Sequence, residues 1–210
     1  MNRGGGRRST PKVKDGKVQK KNRWEQSPNY YMKDRSTLLI ERRNPGKGYR
    51  HLLTRQDIEA FIEIIPDWKK LSAGLNAIVL APGEDNTAGY HVPGVLHVCA
   101  WEDELWRDWD EEFVEEHSAV LENLCVPQQK TGEKEIRCFF NEENAKAWQL
   151  LHIFMHELGH HYDRMTSRRK ECSVRGEHFA EDFALKYERI LLPLYVSKFR
   201  PSFARRKKGS

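Results

Sequence analysis

The sequence lacks the features of several large protein classes. No part of the chain approaches the ~18 consecutive apolar residues of a membrane span. The basic N-terminus has no apolar segment of the kind that a secretory signal requires, and internal repeats are absent. These absences predict a cytoplasmic protein that does not cross a membrane.

Cysteine is scarce, with four residues in 210, and no two of them form a Cys-x-x-Cys pair. Structural zinc sites usually show paired ligand spacing, and a reducing compartment keeps thiols free. We therefore expect Cys99, Cys125, Cys138 and Cys172 to be buried thiols rather than a disulfide framework or a zinc site.

Positive charge is concentrated at the two ends of the chain. Residues 1–23 carry a net charge of +8 and residues 198–210 a net charge of +6, so the total of +5 leaves −9 for residues 24–197. The end segments have too few large apolar side chains to offset their ordering entropy, so we predict disordered basic tails at 1–23 and 198–210. The tails either contact nucleic acid non-specifically through phosphates or are solubilising segments.

The pattern of apolar residues between the tails predicts an α+β fold, because strands are scattered among helices without a regular alternation. The predicted strands lie at 36–42, 76–81, 89–101 (interrupted at Pro93-Gly94) and 136–140. Thr54 is the predicted N-cap of a helix that stops at Pro66. Residues 102–116 are acidic, and Trp106, Trp109 and Phe113 would share one face of a helix. We expect this face to pack on the core; the alternative is a surface that binds a partner.

Two further helices are predicted at the end of the domain. The first begins after Asn141 as N-cap and runs to about Met165. The second runs from about Gly176 to Leu192, since Pro193 should end it.

The first of these helices contains the motif His156-Glu157-Leu158-Gly159-His160. Residues four apart lie on one helix face, so both imidazoles can reach one ion, and neutral imidazole is a preferred zinc ligand. Glu157 would stand beside the metal as a general base for a zinc-activated water. Chance alone would place only about 0.04 such motifs in a chain of this composition.

A catalytic zinc site needs a third protein ligand and one open position. The continuation His-x-x-Gly-x-x-His is absent, since Asp163 and Thr166 occupy those positions. Glu177 is the preferred third ligand, because it lies on the first turn of the next helix. The alternatives are Glu181, Glu171, Asp163 and His178.

The motif followed by Glu177-x-x-Ala180-Glu181-x-Phe183-Ala184 resembles the gluzincin metallopeptidases. The nearest named group is the compact bacterial peptidases of the ImmA/IrrE type, and the resemblance covers about residues 148–193. It implies a single zincin-like domain over 24–197, in which a small mixed or antiparallel sheet packs on the histidine helix and a second helix carries a ligand. It also implies zinc ligation by His156, His160 and Glu177. Phe179 and Glu181 depart from the pattern, the latter where Asn or Asp normally orients a ligand histidine.

Three neighbouring side chains have less specific interpretations. His152 lies one turn before His156 and is expected to be a core histidine. His161 is expected at the surface or beside the ligands, and Tyr162 is expected to pack rather than to assist catalysis.

Two functional hypotheses follow from the sequence. The first is a zinc-dependent peptidase that acts on a peptide or protein substrate. The second is a non-catalytic domain stabilised by zinc, whose basic tails contact nucleic acid or an acidic partner. The sequence leaves the oligomeric state open.

Overall fold

The computed structural model describes residues 37–85, 87–167 and 175–206, together with two short strands near the N-terminus. The chain divides into two units, Met1–Tyr30 and Tyr31–Ser210. In the first unit, β1 (Val13–Lys14) pairs antiparallel with β2 (Lys17–Val18). The rest of the tail at 1–23 lies outside the described residues, so its disorder stays a prediction.

The second unit is an α+β domain, as predicted. Its elements are, in chain order, β3 (Leu39–Arg42), β4 (Tyr49–Arg50), α1 (Arg55–Ile62), α2 (Trp68–Leu71), β5 (Ala77–Ala81), β6 (Gly89–Val92), β7 (Val95–Cys99), β8 (Trp101–Glu102), β9 (Trp106–Asp110), α3 (Glu111–Glu116), α4 (Ser118–Asn123), β10 (Gln128–Lys130), β11 (Glu135–Phe139), α5 (Glu142–Trp148), a π-helical segment (Gln149–Phe154), α6 (Met155–Thr166), α7 (Gly176–Phe199) and α8 (Phe203–Arg206).

A mixed sheet of four strands supports the histidine helix. Its order is β3-β5-β7-β6, with β3, β5 and β7 parallel and β6 antiparallel to β7. Every residue of β5 and β7 is buried, which explains why both read as continuous apolar runs. The predicted interruption at Pro93-Gly94 is the turn of the β6–β7 hairpin, where Gly94 adopts a φ of +79° that favours glycine.

The prediction of one helix over residues 102–116 was wrong. Trp106–Asp110 forms β9, which pairs antiparallel with β11, and only Glu111–Glu116 is helical. Pairing with a neighbouring strand outweighed the helical spacing of the aromatic residues. Trp109 and Phe113 still pack against the core, whereas Trp106 is 39% exposed and lies under the guanidinium of Arg137.

The predicted helix after Asn141 is confirmed, including its capping box with Asn144. The helical run extends to Thr166, but its middle, Gln149–Phe154, is π-helical. Thr54 likewise caps α1 through a reciprocal pair of hydrogen bonds with Asp57. Both caps were readable because Ser, Thr, Asp and Asn side chains satisfy the first free N–H groups of a helix.

The predicted end of the last long helix at Leu192 was wrong, since α7 continues through Pro193 to Phe199. Proline removes one helical hydrogen bond, but packing beyond it holds the helix. Tyr195 is buried and stacks on Phe199 at 4.5 Å between ring centroids. The predicted start of the C-terminal tail, residue 198, is therefore too early, because Phe203 in α8 is also buried. Residues 207–210 lie outside the described residues.

Cys99 and Cys138 are buried free thiols, as predicted, and Cys125 is half-buried. Burial raises the pKa of Cys99 to about 12 and that of Cys138 to about 11, so both thiols stay protonated and unreactive. Cys172 lies outside the described residues. None of the described helices has the length and apolar character needed to cross a membrane.

Candidate metal centre

Three side-chain atoms converge at the start of α6. His156 Nε2 lies 3.1 Å from His160 Nε2 and 3.1 Å from Glu177 Oε2, and His160 Nε2 lies 3.3 Å from the same oxygen. An ion with bonds of ~2.0–2.1 Å in tetrahedral geometry holds its ligand atoms ~3.3–3.4 Å apart. The triangle therefore matches three corners of a zinc tetrahedron, and the donor set of two imidazoles and a carboxylate fits zinc.

Close packing of α6 against α7 brings the three atoms together. A Cβ atom added to Gly159 would lie 3.0 Å from Ala180 Cα and 3.2 Å from Phe183 Cβ. A larger side chain there would push the backbone and side-chain base of the facing helix outward by a few tenths of an ångström, so glycine permits the closest approach of the two helices. The glycine inside the motif thus sets the distance across which Glu177 reaches the histidines.

The other candidates for the third ligand occupy different positions. Glu181 Oε2 lies 3.1 Å from His156 Nδ1, on the opposite side of the ring from the triangle, where a carboxylate orients a ligand histidine. Asp163 is fully buried and bonded to Arg175. His178 is exposed and pairs with Asp182, and Glu171 lies outside the described residues. Glu177 is the only one of these described candidates in the triangle, and its side chain is 80% exposed.

Glu157 lies beside the triangle and lines a cleft. It is only 6% exposed, and burial raises its pKa to about 7, with Glu177 adding to the rise and His156 opposing it. A cation bound next to it would lower this pKa. The cleft has a volume of about 480 Å³ and is also lined by His156, Glu181 and aromatic residues that include Trp109 and Trp148.

One wall of the cleft is the beginning of β6, which is the edge strand of the mixed sheet. Gly89 brings this strand unusually close to the histidine helix, because a Cβ there would lie 2.8 Å from Ile153 Cγ2 and 3.1 Å from Glu157 Cγ. Within the described part of the chain, β6 pairs only with β7. β6 is thus an edge strand of the sheet, and it begins at the cleft that Glu157 also lines.

Asp163 ties the end of α6 to the start of α7. Its carboxylate accepts hydrogen bonds from the Arg175 backbone N–H and Nε, both at 2.7 Å, and from Ser167 Oγ at 2.8 Å. Burial alone would raise the pKa of Asp163, but these hydrogen bonds outweigh it and lower the pKa. Asp163 therefore fixes where α7 begins, and with it Glu177.

We expect Asp163→Asn to lower the free energy of unfolding by about 3 kcal/mol at pH 7, since a buried charged acceptor loses its strongest hydrogen bonds. Because the folded pKa is lowered, this stabilisation is present above the ordinary pKa of 3.8 and is lost as the pH falls through the folded value. Urea unfolding of both proteins at pH 7 and pH 3 measures the difference. Asp182→Asn, which changes an exposed acid of α7, is the matched control. Equal losses of unfolding free energy in Asp163→Asn and Asp182→Asn would contradict the role assigned to Asp163.

The structure corrects the position of His161 and adds residues that the sequence analysis missed. His161 is fully buried rather than at the surface, with Nε2 3.0 Å from the Ala73 carbonyl oxygen. His152 is buried, as expected, and lies 2.6 Å from Glu188. His117 and Glu188 were not predicted as site residues. Glu188 lies seven residues after Glu181 and hence on the same helix face, which is a signal that the sequence contained.

Tyr162 packs on Phe183 at 5.7 Å between ring centroids, in line with the expected packing role.

No sequence profile of a known protein family matches the chain. Comparisons with curated proteins and with solved structures also give no match. The resemblance to gluzincin peptidases therefore rests on the motif and its downstream helix alone.

Proposed function

We propose that this protein is a zinc-dependent peptidase. The observation that carries the proposal is the triangle of His156, His160 and Glu177, whose edges of 3.1–3.3 Å fit a tetrahedral zinc ion. A buried carboxylate, Glu157, stands next to this triangle in a cleft. His156 of the triangle and Glu157 line the same cleft, which supports an arrangement of metal, base and substrate of the kind that metal-assisted hydrolysis needs.

A zinc ion held there would supply a Lewis acid and lower the pKa of a water molecule. The residues of the chain supply the remaining functions. Glu157 accepts the proton of the attacking water and passes it to the leaving amine. Glu181 orients His156 through Nδ1, so that Nε2 points to the triangle.

The walls of the cleft support a peptide as the substrate. The outer edge of β6 can pair with an extended chain through backbone hydrogen bonds, which give affinity without demanding one sequence. Trp106, Trp109 and Phe113 line the same cleft and offer contact area for a large apolar side chain, whereas Trp148 behind them is buried. The proposed substrate is therefore an extended peptide or an unfolded segment of a protein.

The test is hydrolysis of a mixed library of unstructured peptides, followed by mass spectrometry. We expect the zinc-loaded protein to cleave, a chelator to remove the activity, and added Zn²⁺ to restore it. A preparation of His160→Ala, purified in the same way, controls for contaminating peptidases. A protein that binds zinc in the triangle but cleaves no peptide would instead support the non-catalytic domain whose basic tails contact nucleic acid or an acidic partner.

A further inference from the structure

A second cluster of potential ligands lies next to the first, on the other side of Glu181. His117 lies at the junction of α3 and α4, His152 lies in the π-helical segment, and Glu181 lies on α7. His117 Nε2 is 3.1 Å from Glu181 Oε1, and His152 Nε2 is 3.8 Å from Glu181 Oε2. One ligand atom from each residue falls within 4.8 Å of the others. We call these three residues the inner cluster.

Both histidines of the inner cluster are held by their Nδ1 atoms. His117 Nδ1 lies 2.7 Å from the Phe113 carbonyl oxygen, and His152 Nδ1 lies 2.6 Å from Glu188 Oε1. Since a carbonyl oxygen and a carboxylate only accept, each Nδ1 carries the proton. A histidine whose Nδ1–H is fixed by an oxygen in this way presents the lone pair of Nε2, which is the usual arrangement around a ligand histidine.

The lone pairs of the inner cluster then face a carboxylate. The Nε2 atom of His117 and the Oε1 atom of Glu181 are buried and only 3.1 Å apart. Their relative orientation is poor for a hydrogen bond, and they form an ion pair only if His117 carries a second proton. Two acceptor atoms at this distance repel each other unless a positive charge lies between them or one of them is protonated. Burial makes the unpaired arrangement costly, because little water is present to solvate either atom.

We propose that His117, His152 and Glu181 form a second binding site for a divalent transition-metal ion. Two imidazoles and a carboxylate are a donor set that suits Zn²⁺ and its neighbours in the first transition series. An ion with bonds of ~2.0–2.1 Å would draw the three ligand atoms to ~3.4 Å from one another. The site would tie the α3–α4 junction, the π-helical segment and α7 together beneath the cleft.

This second site is separate from the triangle but adjoins it. Glu181 lies 3.1 Å from His156 Nδ1 through one oxygen and 3.1 Å from His117 through the other. Neither His160 nor Glu177 belongs to the inner cluster, and neither His117 nor His152 belongs to the triangle. Variants can therefore remove one site and leave the ligands of the other in place.

The test is zinc stoichiometry per chain, measured on the full-length protein by equilibrium dialysis and elemental analysis. We expect two zinc ions in wild type, one in His160→Ala, one in His117→Phe, and none in the double variant. Phenylalanine keeps the aromatic packing of His117, whose ring stacks on Phe113 at 4.0 Å between centroids. The His178→Ala protein, which lacks an exposed histidine of α7, should still bind two zinc ions.

A second measurement keeps the proposal testable if His117→Phe fails to fold. Glu188→Gln should weaken zinc binding in the His160→Ala protein by roughly 10–100-fold, because Glu188 holds a ligand histidine without touching the ion. One zinc in wild type and none in His160→Ala would overturn the proposal, since the inner cluster would then hold a proton rather than a metal. Zinc that persists in the double variant would place the second ion elsewhere and overturn it as well.

Discussion

Glu157→Gln is expected to lower kcat/KM for peptide hydrolysis by roughly 10²–10⁴-fold, the range that general acid–base catalysis contributes. Glutamine keeps the size of the side chain but cannot accept the proton of the attacking water. The zinc content should equal that of wild type, because Glu157 lies outside the triangle. Parallel measurement of cleavage rates and of zinc per chain in the two proteins tests this combination.

The comparison needs a control for the general effects of removing an acid. Glu115→Gln is suitable, since Glu115 is an exposed residue of α3. The Glu115→Gln protein should cleave peptides at the wild-type rate. Full activity in Glu157→Gln would contradict the role assigned to this carboxylate. Loss of zinc together with activity would show instead that Glu157 supports the metal site.

Local signals in the sequence predicted much of the fold. Thr54 and Asn141 each cap a helix through a reciprocal pair of hydrogen bonds, and both bonds involve residues three positions apart. The strand Ala77–Ala81 was readable as a short apolar run. The two histidines of the motif needed only the geometry of one helix, since residues four apart share a face.

Features set by contacts between distant segments were not readable. Trp106, Trp109 and Phe113 have helical spacing, yet the first two lie in a strand because β11 pairs with it across an intervening segment. Pro193 signals a helix end, but Tyr195 and Phe199 beyond it pack on each other, and α7 continues. Local propensity is a weak prior wherever such packing competes with it.

The residues of the candidate site also divide into those that local spacing predicted and those that only packing between distant segments brings together. The triangle joins a four-residue spacing to one acid on the following helix, so the sequence predicted its members. The inner cluster brings His117 to within 3.1 Å of Glu181, which lies 64 positions further along the chain. No motif marks that approach, because it results from the packing of the α3–α4 junction against α7.

The second large expected effect is the loss of zinc affinity when the third ligand of the triangle is removed. Glu177→Ala is expected to weaken zinc binding at the triangle by more than 10²-fold, because it removes an atom 3.1–3.3 Å from both histidine nitrogens. Glu181→Gln should weaken it by only roughly 10–100-fold, as removal of an orienting partner does. The ranking follows from position, since Glu177 contacts the ligand nitrogens and Glu181 contacts His156 through Nδ1.

Both substitutions are best made in the His117→Phe protein, so that zinc bound by the inner cluster does not contribute to the titration. If the inner cluster binds no zinc, the His117→Phe substitution does not affect the comparison of Glu177→Ala with Glu181→Gln, because His117 lies outside the triangle. Competition with a chromophoric chelator gives each Kd. A larger loss in Glu181→Gln than in Glu177→Ala would reassign the third ligand to Glu181. The exposed Glu177 would then be an ordinary acid of the first helical turn, where the helix dipole favours negative charge.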